Sequence, residues 1–206
     1  MDLFSQFLNN DICYNLDFAR RIKHLEPGDV LEFGTRSGFT ALDLARENRH
    51  RTVFTFDHFK GLEQSRQPIP LNSGWEKGAF ALGVGDTGPI RQPQTIDEVK
   101  QVIGQEKNIV LHIEDIHLLK DPSQYNISKI VAVSIDVDIY EPTVSSLKFV
   151  DKCIWNTLFI RFDDWHGHEP EYDFHERLAC QEWILGNNYQ FSVIENGSAS
   201  CLIVKR

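Results

Sequence analysis

Nearly unbroken apolar runs alternate with segments of helical periodicity along most of this chain, and that alternation restricts the fold more than any other feature. The runs DVLEFGT (29–35), TVFTFDHF (52–59), NIVLHIED (108–115), KIVAVSIDVD (129–138) and TLFIRFDDW (157–165) read as strands. Between and after them, residues 37–49, 95–106, 143–155 and 172–186 read as helices. Strands joined through helices pair in parallel, and strands apolar on both sides need cover on both faces of their sheet. The rhythm breaks at the end, where YQFSVIE (189–195) and ASCLIVKR (199–206) are separated by NGS, with Asn196-Gly197 as a hairpin signal. The expectation is a three-layer α/β fold with a seven-stranded, mostly parallel sheet that closes in an antiparallel hairpin.

With 206 residues the chain suits one domain, 1–206, with one core. Two segments stand outside the pattern. Residues 1–27, with Leu3, Phe4, Phe7 and Leu8 at helical spacing, read as a helical arm that serves as a lid, a homo-oligomer contact or plain packing. Residues 61–93 form an insertion rich in Gly and Pro, long enough to be functional or mobile. A net charge of −9, and no basic run longer than that in FARRIK (18–23), leave no footprint for a polyanion, so nucleic acid is not an expected partner. No stretch of about 18 apolar residues and no signal-peptide pattern occur, so no membrane partner is expected and the location is read as cytoplasmic. Cys13, Cys153, Cys180 and Cys201 lack C-x-x-C spacing and read as reduced core residues rather than zinc ligands.

The chemistry gathers at the strand ends. In an open parallel sheet, ligands sit beyond the carboxyl ends of the strands, where the strand order reverses. The first strand runs into LEFGTRSGFT: Gly34 ends it, Gly38 opens the helix, Ser37 or Thr40 is placed to cap that helix, and Glu32 can hold a cationic or hydroxyl-bearing group. Asp57 ends the second strand 25 residues after Glu32, the offset at which an acid binds ribose hydroxyls in nucleoside-binding α/β folds. The G-x-G-x-x-G spacing of a pyrophosphate site is missing, which points to a nucleoside without phosphates and against an NAD-dependent dehydrogenase. Glu114 or Asp115, after the third strand, is placed for the adenine edge. The fourth strand carries Asp136 and Asp138 into an otherwise apolar run, and two carboxylates there need a countercharge or positioned donors.

Taken together, LEFGTRSGFT, FTFDHFKGLEQ, KGAF, SIDVDIYEPTVSSL and RFDDWH resemble a class I, Rossmann-like methyltransferase that uses S-adenosylmethionine, most closely the macrocin O-methyltransferase group. The resemblance spans Asp29 to Trp183 and departs from the group at His58, at Glu63 and at IEDI (113–116). It places Glu32, Gly34, Ser37, Gly38, Thr40, Asp57, Glu114, Asp115 and Asp136 around the cofactor. It also implies Asp136, Asp163 and Asp164 as ligands of a Mg²⁺ ion, with Asp138 or His166 as general base. Oxygen-rich clusters suit such a hard cation, and a Lewis acid beside a base gives a hydroxyl alkoxide character for attack on a sulfonium methyl group. Asp163 and Asp164 point to one ligand only if the strand has turned into a loop before them, and that turn is expected. His112, His117, His168 and His175 read as structural or surface residues, while Trp75, Tyr140 and Trp165 either line an acceptor pocket or pack. The function implied is O-methylation of a small-molecule hydroxyl on a sugar, polyketide or other natural product. The alternative is a non-catalytic nucleoside-binding module on the same fold.

Overall fold

The computed structural model describes residues 4, 12–69, 74–84, 92–165, 175–197 and 199–206. Five parallel strands, β1 (Asp29–Phe33), β2 (Val53–Asp57), β3 (Ile109–Ile113), β4 (Ile130–Ile135) and β5 (Thr157–Phe162), pair with a hairpin of β6 (Gln190–Asn196) and β7 (Ser200–Lys205). The order is β3-β2-β1-β4-β5-β7-β6, with β7 antiparallel to both β5 and β6. The chain steps outward from β1 to β3, returns to the other side of β1 at β4, and so opens its switch point between β1 and β4.

Alternation along the strands builds two cores. Leu31, Phe33, Val133, Ile135, Ile160 and Phe162 face one way, toward residues of α4 (Tyr140–Lys152) and α5 (Glu176–Asn187). Val30, Val53, Ala132 and Phe159 face the other, toward α1 (Asn15–Ile22) and α2 (Phe39–Glu47). The remaining helix, α3 (Ile96–Ile103), is capped by Thr95, whose side chain accepts from Glu98 N–H. The strand and helix positions expected from periodicity are present among the described residues, with α4 beginning three residues early at Tyr140; residues 172–174 of the last expected helix lie outside them. Pro142 explains the difference, because a first-turn residue has no intrahelical N–H partner to lose. The expected helical arm is described at Phe4 and from residue 12 on; Leu3, Phe7 and Leu8 lie outside the described residues. Phe4 and α1 both pack into the body, Phe4 edge-on to Trp165 with ring centroids 4.6 Å apart.

The cysteine expectation is corrected in part. Cys153 and Cys180 are free and buried, but Cys13 and Cys201, 188 residues apart, form a disulfide. The arm runs beside β7, with Cys13 N–H bonded to Ala199 O at 3.1 Å, and spacing along the chain carries no sign of such a contact. Disulfides persist in oxidising compartments and are rare in the cytosol, so this pair runs against the cytoplasmic reading. No described helix is long and apolar enough to cross a membrane.

Backbone bonds continue the ladder beyond the strand ends. Gly34 N–H donates to Phe56 O (3.0 Å), Asp136 N–H to Phe33 O (2.9 Å) and Asp163 N–H to Ile135 O (3.0 Å). Gly34 adopts φ +92°, and a Cβ there would lie 1.7 Å from Asp136 O. Gly34→Ala therefore forces the tips of β1 and β4 apart. Urea unfolding is expected to show a loss of at least about 2–3 kcal/mol, whereas an unchanged midpoint would mean that the two tips are not in contact.

Candidate active site

Beyond the tips of β1, β2, β4 and β5 lies a cavity of about 500 Å³. Its β1–β2 side is lined by Gly34, Thr35, Ser37, Thr40 and Asp57, with Asp115 on the wall after β3. Asp57 is held on both oxygens: Oδ2 accepts from Arg36 N–H at 2.7 Å and Oδ1 from Phe59 N–H at 2.6 Å. Each oxygen keeps a further lone pair, so the carboxylate is oriented as a hydrogen-bond acceptor at the cavity edge. Thr40 Oγ1 accepts from Asn15 Nδ2 (3.0 Å), and Asp115 caps the short helical turn after β3 through His117 N–H (2.9 Å).

Three residues expected at the ligand do not line the cavity. Glu32 is fully buried on the α1–α2 face of the sheet, where Thr55 Oγ1 donates to its Oε2. Burial, followed by the charge of Asp57, pushes Glu32 up to about 8 against the opposing Thr55 bond. Glu114 accepts from the Tyr125 hydroxyl at 2.8 Å. Gly38 caps α2 itself, in the left-handed conformation and without help from the Ser37 or Thr40 side chain, and a Cβ on it would meet Ile103 Cγ2 at 2.7 Å. These three read as strand-end acids and a helix-opening glycine in sequence, and the alternation of faces and close helix packing take them out of the site.

The β4–β5 side is acidic. Both strands stop just before their acids, at Ile135 and Phe162, so the expected turn is present. Asp138 lies in the left-handed region at φ +62°. Carboxylate oxygens of Asp136, Asp138 and Asp164 come within 4.8 Å of one another. This differs from the expected ligand set: Asp163 lines the same cavity, but its Oδ1 is paired with Arg161 Nη2. Arg161 is 2% exposed and also donates from Nε to Cys13 O at 2.8 Å. Burial, followed by neighbouring carboxylates, pushes Asp136 and Asp138 well above the usual carboxylate range. Burial and then Asp163 push Asp164 up to about 7, although the hydrogen bond from Asp138 works the other way. His166 lies outside the described residues.

Two residues that the sequence reading did not assign to the site organise it. Glu176, the first residue of α5, is fully buried beneath the acids; Oε1 accepts from Val137 N–H (3.2 Å) and Oε2 from Asp164 N–H (3.0 Å). Arg161 is the lone cation inside the apolar run TLFIRF, and that much was visible in sequence. Nothing marked Glu176, because its partners are backbone groups. The insertion forms the remaining wall with Gly61, Leu62, Glu63, Trp75 and Phe80. Glu141 at the start of α4 accepts from Ser65 Oγ (2.9 Å) and Arg66 N–H (2.7 Å), and His175 Nε2 meets Pro68 O at 3.1 Å. His117 bridges Glu63 and Ser145, each at 2.7 Å.

No protein-family model and no curated protein sequence matches the chain. Solved structures do match it. A calicheamicin methyltransferase, CalS11, aligns with TM-score 0.66 at 20% identity over 91% of this chain and 76% of its own. The O-methyltransferase NovP aligns with TM-score 0.64 at 16% identity over 93% and 78%. Cofactor-bound Rv0187 from MTB aligns with TM-score 0.57 at 14% identity over 96% and 83%. The chain has the class I methyltransferase fold. In that fold the cavity sits at the switch point between β1 and β4, with the oriented acid of β2 on one side and the acidic tips of β4 and β5 on the other.

The raised carboxyls give a testable pH dependence. Folded Asp164 (about 7) and Glu32 (about 8) keep protons that the unfolded chain has already released. Their contribution to stability is complete below the unfolded values and is lost as pH rises through the folded ones. In the presence of a chelator, the urea midpoint is expected to fall as pH rises from about 6.5 to about 8. Asp164→Asn is expected to flatten that fall, and an equally steep profile in the variant would remove Asp164 as its source.

Proposed function

We propose that the chain transfers a methyl group from S-adenosylmethionine to a hydroxyl of a small molecule, with a divalent cation such as Mg²⁺ held at the acidic tips, as the macrocin O-methyltransferase group does. The observation that carries the reading is one cavity with two chemistries: Asp57 presented at one end, and Asp136, Asp138 and Asp164 gathered within 4.8 Å at the other. The donor set fits the cation. Three carboxylates on two rigid strand ends offer only hard oxygen ligands, which suit Mg²⁺ and leave room for water or substrate oxygens. The cavity fits a phosphate-free nucleoside, since Asp57 keeps lone pairs for ribose hydroxyls and no glycine-rich phosphate loop follows β1.

The donor brings a sulfonium whose methyl carbon is electrophilic, and the cation brings Lewis acidity that lowers the pKa of an adjacent hydroxyl. The protein orients and deprotonates. Asp57 would hold the ribose, Asp136 and Asp164 would hold the cation, and Asp138 would take the acceptor's proton. Trp75 and Phe80 of the insertion, with the guanidinium of Arg36 4.9 Å from the Phe80 centroid, wall the cavity against water. CalS11 is described as a TDP-rhamnose 3'-O-methyltransferase, which supports a sugar or related natural product as the acceptor class.

S-adenosylhomocysteine is expected to raise the melting temperature, and more so with Mg²⁺ present. Asp138→Asn is expected to keep that shift while methyl transfer to a sugar or polyketide hydroxyl drops by roughly 10²–10⁴-fold. A parent chain that S-adenosylhomocysteine does not stabilise would sink the reading. Stabilisation without turnover on any acceptor would favour the nucleoside-binding module.

A further inference from the structure

We infer that Glu176 is a positioning residue that sets the affinity of the acidic tips for a divalent cation, an inference that rests on the cation reading above. Its carboxylate is fully buried at the start of α5 and does not itself line the cavity. What it does touch is the backbone of both acid-bearing loops. Oε1 accepts from the N–H of Val137, the residue between Asp136 and Asp138, and Oε2 from the N–H of Asp164. The loops leave different strands, and one carboxylate clamps them at a fixed separation. Three side chains converge within 4.8 Å only while that separation holds. The expense of the arrangement argues for a purpose beyond packing. A fourth carboxyl buried against three others costs free energy, and an apolar side chain would fill the same space without that cost.

Glutamine tests the clamp because it keeps the size and changes one atom's role. A carboxylate accepts on both oxygens, whereas a carboxamide accepts on one and turns two N–H donors toward the other amide. Glu176→Gln therefore loses one of the two backbone bonds and repels the loop on that side.

The experiment measures Mn²⁺ binding by electron paramagnetic resonance and S-adenosylhomocysteine binding by calorimetry, on the parent chain and on Glu176→Gln. Mn²⁺ affinity is expected to fall ~10–100-fold, the range found when groups that orient metal ligands are removed. S-adenosylhomocysteine affinity measured without metal, which depends on the Asp57 side, stays unchanged. Turnover recovers when Mn²⁺ is raised, so the KM for the metal moves and kcat does not. Parental Mn²⁺ affinity in the variant overturns the inference alone and leaves the proposed function standing. Loss of both affinities together also overturns it, because the residue is then a general support of the fold. A parent chain that binds no Mn²⁺ removes the cation reading and this inference with it. Should Glu176→Gln not fold, Glu176→Asp, with a carboxylate one methylene short of reaching both amides, is read against the same outcomes.

Discussion

Three backbone hydrogen bonds beyond the ends of the strands hold the site together: Gly34 to Phe56, Asp136 to Phe33 and Asp163 to Ile135. Each extends the parallel ladder by one residue, past the point where side chains are fully packed on both faces. The side chains of Asp136 and Asp163 thus leave the sheet at positions set by ladder hydrogen bonds. Gly34 is part of the same constraint, because its missing Cβ lets the β4 tip come against the β1 tip. Like charges brought together on so stiff a frame cannot relax apart. They must hold protons or share a cation, and the raised values of Asp136, Asp138 and Asp164 express the first of these.

The fold was legible because it is written in local pattern. Apolar runs of strand length, helical spacing between them and Asn196-Gly197 near the end are short-range signals, and each produced the element expected of it. Asp57, Asp136, Asp138 and Asp164 were legible for a related reason: an acid at the carboxyl end of an apolar strand can face the switch-point cavity, and these four line it. Glu32 is different. It lies one residue deeper than the tip, on the sheet face that meets α1 and α2, and there it bonds to Thr55. Asp163 lines the cavity as well, but sequence shows two adjacent acids and not which of them a buried arginine will take. Glu176, the Cys13–Cys201 bond and the anchoring of the insertion all depend on contacts between distant segments, for which a single sequence has no periodicity to read.

The insertion shows how such contacts do functional work. Its described part is fastened to the body by groups from three places: Glu141 at the start of α4, His117 after β3 and His175 just before α5. His175 also packs edge-on against Trp75, with centroids 5.3 Å apart, and its Nδ1 accepts from Tyr140 N–H at 3.3 Å. With one ring nitrogen accepting and the other directed at a carbonyl, the imidazole is in its neutral form. Burial lowers its pKa in agreement with that assignment. A neutral, fully bonded histidine gives the cavity a wall without adding charge to a region already crowded with it.

Arg161 divides the acids into two groups. Its guanidinium is almost wholly buried, is steadied by the carbonyl of Cys13, and pairs with Asp163, which accounts for the absence of Asp163 from the three-carboxylate cluster. Cys13 is in turn fixed to β7 through Cys201 and Ala199, so the arm before α1 reaches the acidic site through a single arginine. With Asp163 countered in this way, Asp136, Asp138 and Asp164 face one another with no cation of their own among the described residues. On the proposed reading a divalent cation would supply the countercharge that these three lack.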